Sequence, residues 1–508
     1  MSRRNFHQTF YLLGTIAVAV AIPLSHFLMG LACFLLSLNW LAEWNWREKQ
    51  RFFRKNRQGI WFAAFYVVYA IGLVNVTDWS AAGKEMLNKL PFLLGPIVVI
   101  TSKPFNSRQL QSIFGSFILA TLIGCIWNFI YAQTHDLGNI REMSCFIDHI
   151  RFSLCVVMSI VFCIHYWIHT TSRSIPQTYI YPIISVLLLL YLLYSQTLSG
   201  IVILIVITIC YVLYLVVNQN DIRIKRTLLG LMGTFLIALI TYTVYITYDY
   251  FHVKDSEPNA AAVTASGNPY SFEENPMAES GHYIGNYVCE KELQAAWTMR
   301  SDSVFDELTA ATLIRYLNSM GLRKDSAAVM QLGEDDIRNV EHKVANIYYV
   351  RKGSLRRALY ETFFGITSYR KYGTIVRSSL LERVELWRAS WHIVQDHWMF
   401  GVGIGQQRPA LDRQLEIQNS PIAERKMRGS HNQFLTFWVA AGIIPVIFFC
   451  FLLVFPFVTL KKRITFVYFS FILLLFLSML VEDTLNAQTG RMMFAFFVPI
   501  LLFNKEYL

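Results

Sequence analysis

The chain has 508 residues, of which 54% are hydrophobic and 15% aromatic, while only 16% are charged; soluble domains are nearer a quarter charged. With a mean hydropathy of +0.38, this balance excludes an ordinary soluble globular domain. The formal charge of +11 gathers in short connections between apolar runs rather than in one basic face, so no nucleic-acid partner is expected.

The N-terminus, Met1 to Leu24, has a basic start and an apolar stretch without a small-x-small cleavage site, and reads as an uncleaved first span. Apolar stretches then recur, giving candidate spans at 9–24, 27–44, 59–76, 88–101, 110–133, 150–168, 177–194, 198–217, 227–248, 434–459, 465–481 and 491–504. At 1.5 Å rise per residue, most match the thickness of a bilayer core. The expected fold is all-α and polytopic, with about twelve transmembrane helices and the lipid bilayer as an obligatory partner. The even-numbered connections, at 45–58, 102–109, 169–176, 218–226 and 460–464, all carry Lys or Arg. The positive-inside rule therefore places both termini in the cytoplasm.

Three regions follow from this layout: spans one to nine in residues 1–248, a large external loop domain in 249–433, and spans ten to twelve in 434–508. The external stretch is polar and nearly balanced in charge. Residues 259–276 read as irregular, whereas 290–321 and 335–349 carry apolar residues at helical spacing, predicting a helix-rich domain. Six cysteines (Cys33, Cys125, Cys155, Cys163, Cys210, Cys450) lie in apolar runs as small hydrophobes. Cys145 and Cys289 fall outside, where pairing is chemically open but not readable from sequence. No close Cys/His/carboxylate cluster has metal-ligand spacing, so no metal and no cofactor are expected.

Toward the end of the loop, Ser379-Leu380-Leu381-Glu382 fits a capping box, predicting a helix that starts there and carries Arg383 in its first turn. Leu380, Val384, Trp387, Trp391, Val394 and Trp398 then form one stripe, suited either to a membrane surface or to packing within the domain. Gly401-Val402-Gly403-Ile404-Gly405 follows; Gly403 and Gly405 could expose backbone N–H groups to phosphate, or simply end the helix. At the re-entry into the membrane stands Arg428-Gly429-Ser430-His431-Asn432-Gln433. Ser430 reads as the N-cap of the tenth span, which would put His431 in its first turn, where an imidazole can take a proton from an attacking hydroxyl or merely anchor the span. Asp148, His149 and Arg151, and then Glu482 and Asp483, place further polar groups at the outer ends of the sixth and eleventh spans.

Taken in order, Arg383-Val384-Glu385-Leu386-Trp387, the Gly401–Gly405 turn, and His431-Asn432-Gln433-Phe434-Leu435 before Gly442 resemble the O-antigen ligase and polymerase superfamily. The stretches Thr312–Leu317 and Gly321–Asp325 resemble a long-loop subgroup of ligase-like proteins. One departure is that Leu198, in Ser195-Gln196-Thr197-Leu198-Ser199-Gly200, stands where family members often carry an arginine. The resemblance implies a bacterial inner-membrane enzyme whose large loop is periplasmic. It implies metal-independent, inverting transfer of a glycan from undecaprenyl diphosphate to a lipid A–core or other glycan hydroxyl. Arg383 would hold the diphosphate and His431 would act as base, with Arg428, Arg151, Gly403 and Gly405 completing the substrate site. A polymerase would share this donor chemistry and differ in acceptor; a polytopic transporter or flippase is the rival of another class.

Overall fold

A computed structural model describes residues 3–135, 140–169, 175–255, 259, 261–350, 354–375, 378–426 and 428–504. The chain is mostly helical and divides into two compact units, residues 1–215 together with 383–508, and residues 216–382. Residues 383–433 of the expected external segment therefore belong to the first unit.

Every expected span is helical, but the twelve do not all form long helices. Among the described residues, five helices are long and apolar enough to cross a membrane: Asn5–Leu24, Ser107–Thr134, His149–His169, Leu198–Asn218 and Ile222–Phe251, the last belonging to the second unit. His26–Ala42 and Trp46–Lys55, bent by 114° at their junction, make a sixth if counted together. The rest are shorter for local reasons. The third segment tightens from an α-helix at Ile60–Tyr69 into a 3-10 turn at Ala70–Leu73. The fourth begins only at Pro91, a residue suited to the first turn. The tenth is cut by Gly442 into Gln433–Ala441 and Ile443–Thr459. Gly442 has φ +82°, and a Cβ there would stand 1.9 Å from the Met399 carbonyl oxygen, so only glycine fits. The last segment contains a π-helical turn at Met493–Phe497.

The packing follows from the apolar composition. Arg3–Leu24 packs on His26–Ala42 and Ser107–Thr134, and Ile60–Tyr69 packs on Pro91–Thr101. Phe65, Phe92, Phe437, Phe449 and Phe494 interlock through ring contacts of 5.2–5.9 Å, in the offset and edge-on geometries that aromatic quadrupoles favour. Backbones also approach closely where side chains are small: a Cβ on Gly95 would meet the Ala495 carbonyl at 2.6 Å.

The second unit has its own core, built from Leu293, Trp297, Leu313, Tyr316, Leu317, Val329, Ile337 and Val340. Helices Glu290–Arg300, Glu307–Ser319 and Glu334–Glu341 match the expected helical stretches. The sequence did not predict the four short strands: Ser271–Phe272 pairs with Asn286–Val288, and Ala278–Glu279 with His282–Tyr283. Inside this unit Glu279, fully buried, binds Arg315 through two 2.8 Å hydrogen bonds. Asp325 caps the helix Ser326–Met330. The two motifs of the long-loop resemblance thus supply folding contacts here. Cys145 and Cys289 are both free thiols.

Candidate active site

The helix Ser379–Asp396 brings Arg383 into the first unit. Its cap is Ser378 rather than Ser379, because the Ser378 hydroxyl accepts from the Leu381 N–H. Arg383 consequently lies in the second turn, beyond the helix's unpaired N–H groups, and its own guanidinium is the donor available to an anion. One of its N–H groups donates to Glu482 Oε1 at 2.7 Å. Farther along, Arg388 donates to Glu385, which also accepts from Ser420. The tryptophan stripe divides: Trp387 donates to the His431 carbonyl, while Trp391, edge-on to Trp438, and Trp398 are exposed.

His431 corrects a second expectation. The N-cap of the helix Gln433–Ala441 is Asn432, whose side chain accepts from Phe434 and Leu435 N–H groups, not Ser430. Ser430 is buried and bonded to the Ser390 hydroxyl. His431 therefore precedes the helix, and its φ of +47° is left-handed, a conformation that side chains seldom adopt without support from their surroundings. That support is visible. Asn432 donates to the Leu480 carbonyl at 3.0 Å, and Gln433, fully buried, accepts from the Leu485 N–H at 2.7 Å.

Glu482 is the hub. It ends the helix Phe466–Val481, is only 2% exposed, and faces His431 Nδ1 at 3.1 Å through the oxygen that Arg383 does not use. Arg151 approaches the same oxygen at 3.5 Å and also pairs with Asp148 at 2.9 Å. Burial pushes the Glu482 carboxyl pKa up. The His431 hydrogen bond and charge, the Arg151 charge and the Arg383 hydrogen bond outweigh burial and bring it down to about 2. Two arginines and a histidine from three separate helices and turns thus converge on one ionised carboxylate. Sequence reading named Glu482 as a polar group at a helix end but gave it no role; the available signal was a carboxylate closing an apolar run.

The other expected residues take different places. Gly401, Gly403 and Gly405 all have positive φ. In that turn the Val402 N–H donates to Val439 and the Ile404 N–H to Gly72, while a Cβ on Gly403 or Gly405 would strike the backbone at Asn75 or Ala81. The glycines here serve close packing, and these two N–H groups are engaged within the fold. Arg428 is half-buried on the approach to His431. Next to it Gly429 leaves room for the Asp483 carboxylate, which would lie 2.0 Å from a Cβ at that position. Leu198 is exposed, and its neighbour Thr197 bonds His149 Nε2 at 2.9 Å.

Among the described residues no group of three His, Cys, Asp or Glu is arranged to hold a metal ion. Residues 357–450 match the family model described as O-antigen ligase. The matched stretch contains Arg383, Gly403, Gly405, Arg428 and His431, whereas Arg151 and Glu482 lie outside it. No curated protein matches the chain.

Proposed function

Since the chain belongs to the O-antigen ligase superfamily and is a membrane enzyme of the ligase or polymerase type, we propose that it transfers a glycan from undecaprenyl diphosphate to a sugar hydroxyl of lipid A–core at the periplasmic face of the bacterial inner membrane. The observation that carries this reading is the shared bonding of Arg383 and His431 to Glu482.

The ionised Glu482 oxygen accepts a hydrogen bond from the N–H at His431 Nδ1, which keeps the lone pair on Nε2. Nε2 then takes the proton of the acceptor hydroxyl as its oxygen attacks the anomeric carbon. The bond from that carbon to the diphosphate breaks, and the leaving group departs with the electron pair. Arg383 keeps part of its planar donor fork beyond the Glu482 bond, and with Arg151 it neutralises the charge that develops on the diphosphate. Attack opposite the leaving group inverts the anomeric configuration. Arg151 stands in for the arginine that Leu198 replaces, and Arg428 adds a further cation on the approach to His431. The polymerase reading keeps every one of these steps and changes only the acceptor.

The test is to incubate purified protein with lipid-linked glycan and separate candidate acceptors, without nucleotide or added metal. Elongation of lipid A–core is the expected result. Elongation of the donor glycan alone would make the enzyme a polymerase, and no elongation of any acceptor would overturn the transfer reading.

A further inference from the structure

Asn486, four residues beyond Glu482, belongs to a second buried polar cluster that the reaction above does not use. Lys89, with no exposed surface, donates to Asn486 Oδ1 at 2.8 Å, pairs with Glu85 at 2.9 Å and faces the Tyr69 ring at 5.1 Å. Arg491, in the helix Gln488–Met492, is 6% exposed. Among the described residues no hydrogen bond or ion pair reaches its guanidinium, although Glu85 and Tyr69 lie within its electrostatic reach. The buried atoms Arg491 Nε and Tyr69 Oη both lack a hydrogen-bond partner.

Buried polar groups are nearly always paired, and an unpaired buried guanidinium is especially costly at membrane depth. Both unpaired groups can donate a hydrogen bond. A phosphate offers several acceptor oxygens and a charge that matches a guanidinium beside an ammonium. Glu85 and Asn486 account for Lys89, whereas Arg491 is left without a bond among the described residues.

We propose that Tyr69, Lys89 and Arg491 form a second anion subsite, which holds a phosphate group of the acceptor glycolipid; this rests on the transfer reaction proposed above. The acceptor, rather than the donor, follows from connectivity. Asn486 accepts from Lys89 and from Gln433 Nε2 at 3.4 Å, and Gln433 lies two residues from His431, the base that deprotonates the acceptor. The donor diphosphate is held on the Arg383 side.

The experiment uses the full chain in lipid nanodiscs, with one glycolipid acceptor in phosphorylated and dephosphorylated forms. Arg491→Gln should raise the KM for the phosphorylated acceptor at least about ten-fold, since one charged hydrogen-bonded contact is lost, and leave the donor KM in place. On the dephosphorylated acceptor, wild type and variant should converge. An equal loss on both acceptors, or a rise confined to the donor KM, would overturn the subsite. Should Arg491→Gln fail to fold, Tyr69→Phe carries the same comparison with the cation retained. If wild type elongates no acceptor, the transfer reading falls, and the subsite is judged by direct binding of the phosphorylated glycolipid. Ten-fold weaker binding by the variant sustains it, and equal binding ends it.

Discussion

The Nδ1 atom of His431 stands 3.1 Å from Oε2 of Glu482, so the candidate base is oriented by a carboxylate contributed from the end of another helix. If His431 is the base, His431→Ala should lower the transfer rate by a factor on the order of 10²–10⁴. Glu482→Ala should lose activity through the same route. The double variant should then be no slower than His431→Ala alone, since groups acting as a unit are not additive. Transfer rates of the three proteins at matched expression check this; full additivity would separate the two residues.

Arg383 offers a test by shape rather than charge. Arg383→Lys keeps the cation but cannot bond Glu482 and a diphosphate at once through a planar fork. It should fail nearly as badly as Arg383→Ala in transfer and in donor binding. A lysine variant with close to wild-type activity would reduce Arg383 to a partner of Glu482.

The depressed Glu482 carboxyl sets a pH window. With its pKa at about 2 in the folded protein against 4.5 ordinarily, the carboxylate stabilises the fold above pH 4.5. That contribution, at most about 3 kcal/mol, is lost as pH falls toward 2. Melting temperature followed from pH 6 to pH 3 should fall less steeply in Glu482→Gln than in wild type. Identical slopes would show that the carboxylate contributes no acid sensitivity.

Gly442 makes a purely steric prediction. Adding a Cβ against the Met399 carbonyl at φ +82° should cost Gly442→Ala on the order of 1–3 kcal/mol from overpacking, with left-handed strain in addition. A lowered melting temperature with the same reaction products is expected; unchanged stability would mean the turn shifts freely.

Topology is tested separately. The positive-inside reading expects Ser301 outside the cytoplasm, so a periplasm-dependent reporter fused there should be active. A fusion active only in the cytoplasm would invert the whole arrangement.

The positions of the helices and the order of the candidate residues were legible because their signals are local. Apolar runs specify helices in a bilayer, and the order of Arg383, the glycine turn and His431 is a property of the chain. Other features depend on contacts distant in sequence. Glu482 meets Arg383 across 99 positions and Lys89 meets Asn486 across 397, and no periodicity encodes such meetings. The cap was misplaced for a related reason: both Ser430 and Asn432 can cap, and Asn432 is held there by the Leu480 carbonyl. Gly403 and Gly405 left a phosphate cradle open beside a plain turn because glycine turns that expose N–H groups and those that admit a neighbouring backbone share one composition.

The bonds from Asn432 to Leu480 and from Gln433 to Leu485 act as two rungs between the segments that carry His431 and Glu482. The pair they tie together is a single rigid jaw. Arg383 and Arg151 reach that jaw only through the tips of their side chains. In the proposed reaction the base and its carboxylate would therefore keep one spacing, and the arginines would adjust to the diphosphate by turning their side chains alone.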